Sequence, residues 1–224
     1  MELLGHFVWD VIKGLALSVP RAIHNYKFSR FFGQQAIKSD RVFIVLDPYE
    51  HPLPRPNQRY VKNFYGRRPN QTLAGEDKVL GSCSVRITKY ASSEFALFRN
   101  KTNPVKIVLD EEVTDSWEGT FVCFGSSDSN IKTFDIERLV QNNLYSFPFD
   151  NNGNRCFEID GQRYSIQGNM DAAVLMRLQN PWHRDHKLFV CAGLGEWGTS
   201  GAAYYLFKNW RKLHNKFGAE KTLY

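Results

Sequence analysis

The chain has 224 residues, 42% of them hydrophobic and 23% charged, which excludes an intrinsically disordered polypeptide and leaves room for one α/β domain with a short appendage. Lys and Arg number 29 against 23 Asp and Glu, a formal charge of +6 that favours anionic partners without singling one out. No apolar run reaches the ~18 residues that a spanning helix needs, so a standard transmembrane helix is not expected.

The N-terminal stretch repeats apolar residues at helical spacing, with Leu4, Phe7, Val8, Val11, Ile12, Leu15 and Ala16 followed by the basic run Arg21, His24, Lys27 and Arg30. Residues 1–38 read as one or two helices parted near Ser18-Val-Pro20, because proline ends or kinks a helix. Asp10 and Lys13 interrupt the segment, and it lacks the small-residue cleavage site of a signal peptide. Such a segment packs on the main domain, joins a second copy in a homo-oligomer, or lies on a membrane surface as an amphipathic anchor. The division expected is therefore a helical segment over 1–38 and an α/β domain over 39–224.

The pattern changes at Arg41-Val-Phe-Ile-Val-Leu-Asp47, a short β-branched and aromatic run stopped by Pro48, as in a strand buried on both faces. Residues 48–81 hold five of the nine prolines and predict a long irregular excursion of the kind that is usually functional or mobile. Within it, Arg55, Arg59, Lys62, Arg67 and Arg68 interleave with Tyr60, Phe64 and Tyr65, a mixture suited to a phosphate backbone or to a lid over one nucleotide. No recognisable nucleic-acid module surrounds it, so a polynucleotide partner is not expected.

Ser82 opens a helix with Cys83, Ile87, Tyr90, Ala91, Phe95 and Phe98 at helical spacing. Val105 to Asp110 and Gly119 to Phe124 predict two further strands, the second running through Gly125-Ser-Ser-Asp-Ser-Asn130 into a helix over about 133–144. Cys156 to Ile166 reads as a hairpin turning at Asp160-Gly161. Ala172 to Leu178 is a strand closed by Asn180-Pro181, and Lys187 to Ala192 is the last strand, followed by a glycine turn and a helix over about 199–217. Alternation of this kind predicts a three-layer, mainly parallel sheet with helices on both faces and ligands at the carboxyl ends of its strands. Asp47, Asp110, Gly125 to Asn130 and Gly193 to Thr199 all fall at that edge.

Gly193-x-Gly195-x-x-Gly198 between a strand and a helix matches the spacing of a dinucleotide fingerprint. It stands on the last strand, however, with no acid-bearing strand about twenty residues later to hold a ribose. A cradle for a phosphate or carboxylate, ending in Thr199, and a turn required only for close helix packing are the readings that remain. Ser126, Ser127, Ser129 and Asn130 are candidate hydrogen-bond partners of a phosphate or ribose and Asp128 of sugar hydroxyls, the alternative being a capping turn. Glu196, inside the glycine turn, opposes a bound phosphate and so marks either a catalytic acid–base, with Asp128, Asp47 or Asp110, or a plain helix cap. His183-Arg-Asp185-His186 lacks further ligands to complete a zinc site and reads as a polar turn, so no metal is expected. Four widely spaced cysteines, Cys83, Cys123, Cys156 and Cys191, fit reduced core residues and a cytoplasmic setting.

Gly125, Ser129 and Asn130 after one strand, Asp171 opening the penultimate strand, Asn180-Pro181, and Ala192 through Thr199 to Ala202-Ala203 resemble a poorly characterised group of bacterial Rossmann-like domains. These are similar to modules of signalling and defence proteins. The likeness spans about residues 41–210, and the usual first motif has a second glycine where this chain has Ser126. It implies a Rossmann-like fold and supplies no activity or cofactor. The function expected is a sensor or regulatory module for a nucleotide-like or other phosphorylated small molecule. The alternatives are an enzyme acting at a nucleoside or dinucleotide N-glycosidic bond, and a membrane-associated or oligomeric interaction protein.

Overall fold

The computed structural model describes residues 22–46, 49–50, 78–79, 82–99, 103–113, 115–127, 129–139, 145–148, 150, 156–165 and 171–219. Asp47, Asp128, the stretch from Arg55 to Arg68 and the positions from Leu4 to Ala16 lie outside the described residues. Helix α1 covers residues 22–32. It is followed by β1 (Val42–Leu46), β2 (Tyr49–Glu50), β3 (Lys78–Val79), α2 (Ser82–Ala96), β4 (Lys106–Leu109), β5 (Thr120–Phe124) and α3 (Ile131–Leu139). Then come β6 (Tyr145–Ser146), β7 (Cys156–Ile159), β8 (Gln162–Ser165), β9 (Ala173–Gln179), β10 (Lys187–Gly193) and α4 (Glu196–Phe217).

Five strands form the central sheet in the order β4-β1-β5-β10-β9. β4, β1, β5 and β10 run parallel, with Val45 opposite Val108 and Cys123, and Val190 opposite Cys123. The continuous apolar runs seen in the sequence are the innermost strands: every residue of β5 and β10 is buried, as a strand covered on both faces requires. β9 lies antiparallel to β10, with Met176 opposite Val190. Only residues 180–186 join the two, too few for a parallel crossover of about a dozen residues. Asn180 shapes that turn, accepting from the Trp182 and His183 N–H groups at Oδ1 and donating to the Trp117 carbonyl at 2.7 Å.

One face of the sheet is covered by α1, α2 and α4 through Phe28, Phe31, Phe32, Phe95, Phe207 and Trp210, all within 1% of complete burial, with Phe189 of β10 beneath them. Each such side chain stabilises the fold by about 1.5–3 kcal/mol through burial alone. The described end of the N-terminal segment thus packs into the same core as the sheet. The other face is covered by α3, through Ile136 and Leu139, and by the small antiparallel sheet β6-β7-β8 through Tyr145 and Phe157. Its β7–β8 hairpin turns at Asp160 (φ 51) and Gly161 (φ 74), the positive pair of a type I′ turn. The result is the three-layer α/β arrangement that the sequence predicts. Among the described residues, no helix is long and apolar enough to cross a membrane.

From β1 the chain moves outward over the α2 face to β4, then returns past β1 over the opposite face to β5 and onward to β10. A change of direction with a change of face is what right-handed crossovers demand. It places the switch in strand order between β1 and β5, whose carboxyl ends bound the crevice where open sheets of this class take ligands.

Candidate functional site

Two strand-to-helix turns leave the carboxyl edge side by side. The first leaves β5 at Gly125, whose φ of 118 is open to glycine and strained for other residues. Its N–H donates to the Cys191 carbonyl of β10 at 3.0 Å, tying the start of one turn to the strand that feeds the other. The second turn runs from Gly193 through Leu194 and Gly195 into α4. The expectation that both turns share one edge is met.

Within the first turn the polar side chains serve the backbone. The Ser129 and Asn130 N–H groups donate to the Ser126 carbonyl at 2.9 and 2.8 Å, and Ser129 Oγ donates to the same oxygen at 3.2 Å. Asn130 is fully buried. Its Oδ1 accepts from the Thr133 N–H at 3.0 Å, the bond of a helix N-cap, while Nδ2 donates to the Phe124 carbonyl at 3.0 Å and reaches the Val45 carbonyl at 3.5 Å. Asn130 therefore stitches β5 to β1 at the carboxyl edge. Thr133 Oγ1 donates to the Gly125 carbonyl at 3.0 Å, completing the turn.

Both helix N-termini are capped by aspartates from distant sequence. Asp110 is fully buried and accepts from the Ile131 N–H of α3 at 2.8 Å and from the Glu111 N–H at 3.0 Å. Asp171, half-buried just before β9, accepts from the Gly198 N–H of α4 at 2.6 Å and from the Ala172 N–H at 2.8 Å. A carboxylate at a helix N-terminus satisfies the orphan donors and the dipole together. The helices consequently start earlier than the sequence suggests, α3 at Ile131 and α4 at Glu196, so Glu196 belongs to the first helical turn.

The glycines of the second turn are set by close packing. A Cβ on Gly193 would lie 2.5 Å from the Gly198 carbonyl carbon, and one on Gly198 would lie 2.7 Å from the Ala172 oxygen. Thr199 Oγ1 accepts from the Gly193 N–H at 3.0 Å, which locks strand to helix. A Cβ on Gly195 would meet only the end of the Asp171 side chain, at 3.0 Å.

The site residues named from the sequence thus divide. Asp110, Asn130, Gly193 and Thr199 are buried, and their polar atoms bond within the fold. Gly125 and Ser126 are also buried. Ser127, Ser129, Gly195 and Glu196 reach the surface, and Asp171 stands beside the second turn, on its β9 side. Gly198 meets Asp171 through its N–H. Sequence reasoning did not weigh Trp197 as a site residue, yet it stands 75% exposed on the first turn of α4; the signal available was one large aromatic among glycines. Lys132, also in the first turn of α3, runs the other way: its ammonium lies 3.7 Å over the Trp117 ring and donates to the Ser116 carbonyl, and burial lowers its pKa. His183 to His186 forms the turn before β10.

Comparison with protein-family models, with curated proteins and with solved structures found no match for this chain.

Proposed function

We propose that the chain binds a nucleotide-like small molecule at the carboxyl edge of β5 and β10, as a sensor or regulatory module. The observation that carries this reading is that the turns after the neighbouring parallel strands β5 and β10 open at the same carboxyl edge, with the Gly125 N–H bonded to Cys191 of β10, beside the switch in strand order. The accessible groups there suit such a ligand. The Trp197 ring offers a face on which a base stacks, Ser127 and Ser129 offer hydroxyls, and Asp171 and Glu196 accept from sugar hydroxyls or base N–H groups.

The caps shape the mode of binding. A phosphate directed at the N-terminus of α4 meets the Asp171 carboxylate already seated on Gly198, and like charges repel. Recognition therefore rests on the sugar and base, with any phosphate lying outside Asp171 against the Ser127 side.

Thermal-shift and calorimetric titration with nucleoside monophosphates, diphosphates and dinucleotides tests the proposal. At least one should stabilise the wild type, and Trp197→Ala should weaken it by about tenfold while leaving the unliganded melting temperature unchanged. Absence of stabilisation by the whole panel contradicts the proposal. Turnover of a ligand that disappears in Glu196→Gln while binding persists moves the protein to the class of N-glycosidic enzymes.

A further inference from the structure

At the opposite end of the sheet, where β9 ends and β10 begins, a cavity of ≈ 470 Å³ lies between the end of α1 and the β9–β10 turn. Its charged lining is Arg30 from α1, Arg184 and Asp185 from the turn, and Lys187 from the first position of β10. Three cationic residues thus line it against one acidic residue, together with Gln34 and Gln179.

The walls are fixed by contacts far apart in sequence. Gln179 Nε2 donates to the Arg184 carbonyl and, at 3.2 Å, to that of His186. The Lys187 ammonium donates to Gln179 Oε1 and to the Ala219 carbonyl at 3.1 Å. Gly33 ends α1 with φ 108, and a Cβ there would meet the Asp185 carbonyl at 2.7 Å, so α1 abuts the turn directly. The Gln35 N–H donates to that same carbonyl at 3.2 Å. The neighbourhood is electropositive: after burial, the influences lowering the His214 pKa are Arg177, Lys27 and Arg30, all cations.

We infer that this cavity is a second ligand site, separate from the carboxyl edge, and that it takes the phosphate group of a small phosphate monoester. Guanidinium groups match phosphate oxygens in a two-pronged geometry, and a lysine adds a compact point charge. The volume falls in the range of small-molecule sites, about 300–1,000 Å³, and leaves room for the organic part of an ester beside its phosphate. Gln34, at the cavity wall, is the polar residue nearest to hand for hydroxyls on that part.

Calorimetry at constant ionic strength, with inorganic phosphate and glycerol phosphate as probes and sodium chloride as the control, tests the inference on the full chain. Both phosphates should saturate one site, and Arg184→Ala, at an exposed turn position, should weaken them by about tenfold. Lys208→Ala, on the outward face of α4, and Trp197→Ala should leave them unchanged, each variant being checked for an unaltered melting temperature. The inference is overturned if neither phosphate saturates, or if Arg184→Ala and Lys208→Ala weaken them equally, which marks diffuse attraction. Loss of binding in Trp197→Ala with retention in Arg184→Ala overturns it also, by moving the phosphate to the carboxyl edge.

Discussion

Asn130 carries more of the carboxyl edge than any ligand contact needs. Its one side chain caps α3, bonds the end of β5 and reaches β1. Asn130→Ala removes the cap and leaves buried carbonyls without their donor, so it should destabilise the chain by about 2 kcal/mol. Denaturant unfolding checks this; a change within about 0.5 kcal/mol, as at an ordinary surface site, would mean the cap is not formed. In the sequence, Asn130 and Asp110 looked like ligand groups because polar residues at the end of a buried strand stand where ligands bind. Asn130 caps a local amide, that of Thr133, whereas the aspartates that cap the two helices do so at long range. Asp110 meets an amide 21 residues away and Asp171 one 27 residues away, pairings that no local spacing encodes.

At the scale of elements, two glycines of one region have opposite roles. Gly193 lies where β10 touches the first turn of α4, and any Cβ there collides with backbone. Gly201 is exposed within α4, with nothing within 4 Å of the position a Cβ would take. Gly193→Ala should destabilise the fold by about 3 kcal/mol through overpacking, whereas Gly201→Ala should stabilise it by about 1 kcal/mol through helix propensity. Paired unfolding curves read both values, and equal effects of either sign would contradict the packing described. The sequence made the strand–turn–helix order legible, since apolar runs give way to glycine and then to helical spacing. It left open which demand the glycines answer, because packing and anion binding call for the same residue. The direction of β9 was open for a similar reason: a short buried strand has the same composition either way, and the short connection to β10 decides it.

Across the whole molecule, the layers were legible from alternation of strands and helices, and α1 joins the core through the aromatic side chains Phe28, Phe31 and Phe32. Charge is distributed unevenly between the ends, with capped carboxylates at the carboxyl edge and cations around the amino-end cavity. Burial, followed by Arg177, Lys27 and Arg30, holds the His214 pKa below its usual value; burial, followed by His183, does the same for His186. The folded state then binds fewer protons than the unfolded one below about pH 6.5. Stability is therefore full above that value and falls as the pH drops through the lowered pKa values. The melting temperature should decrease between about pH 7.5 and about pH 5.5, and His214→Leu should flatten that slope because only histidines titrate there without perturbation. A slope unchanged by the substitution would place the proton uptake elsewhere.

Nucleotide titration followed residue by residue by NMR distinguishes one ligand site shared by the turns after β5 and β10 from separate surfaces. With one site, the amide resonances of Gly125, Ser126 and Ser127 move together with those of Gly195, Glu196 and Trp197, at one shared midpoint. Movement at one turn alone, or at neither for any nucleotide in the panel, means that the turns do not form a common site.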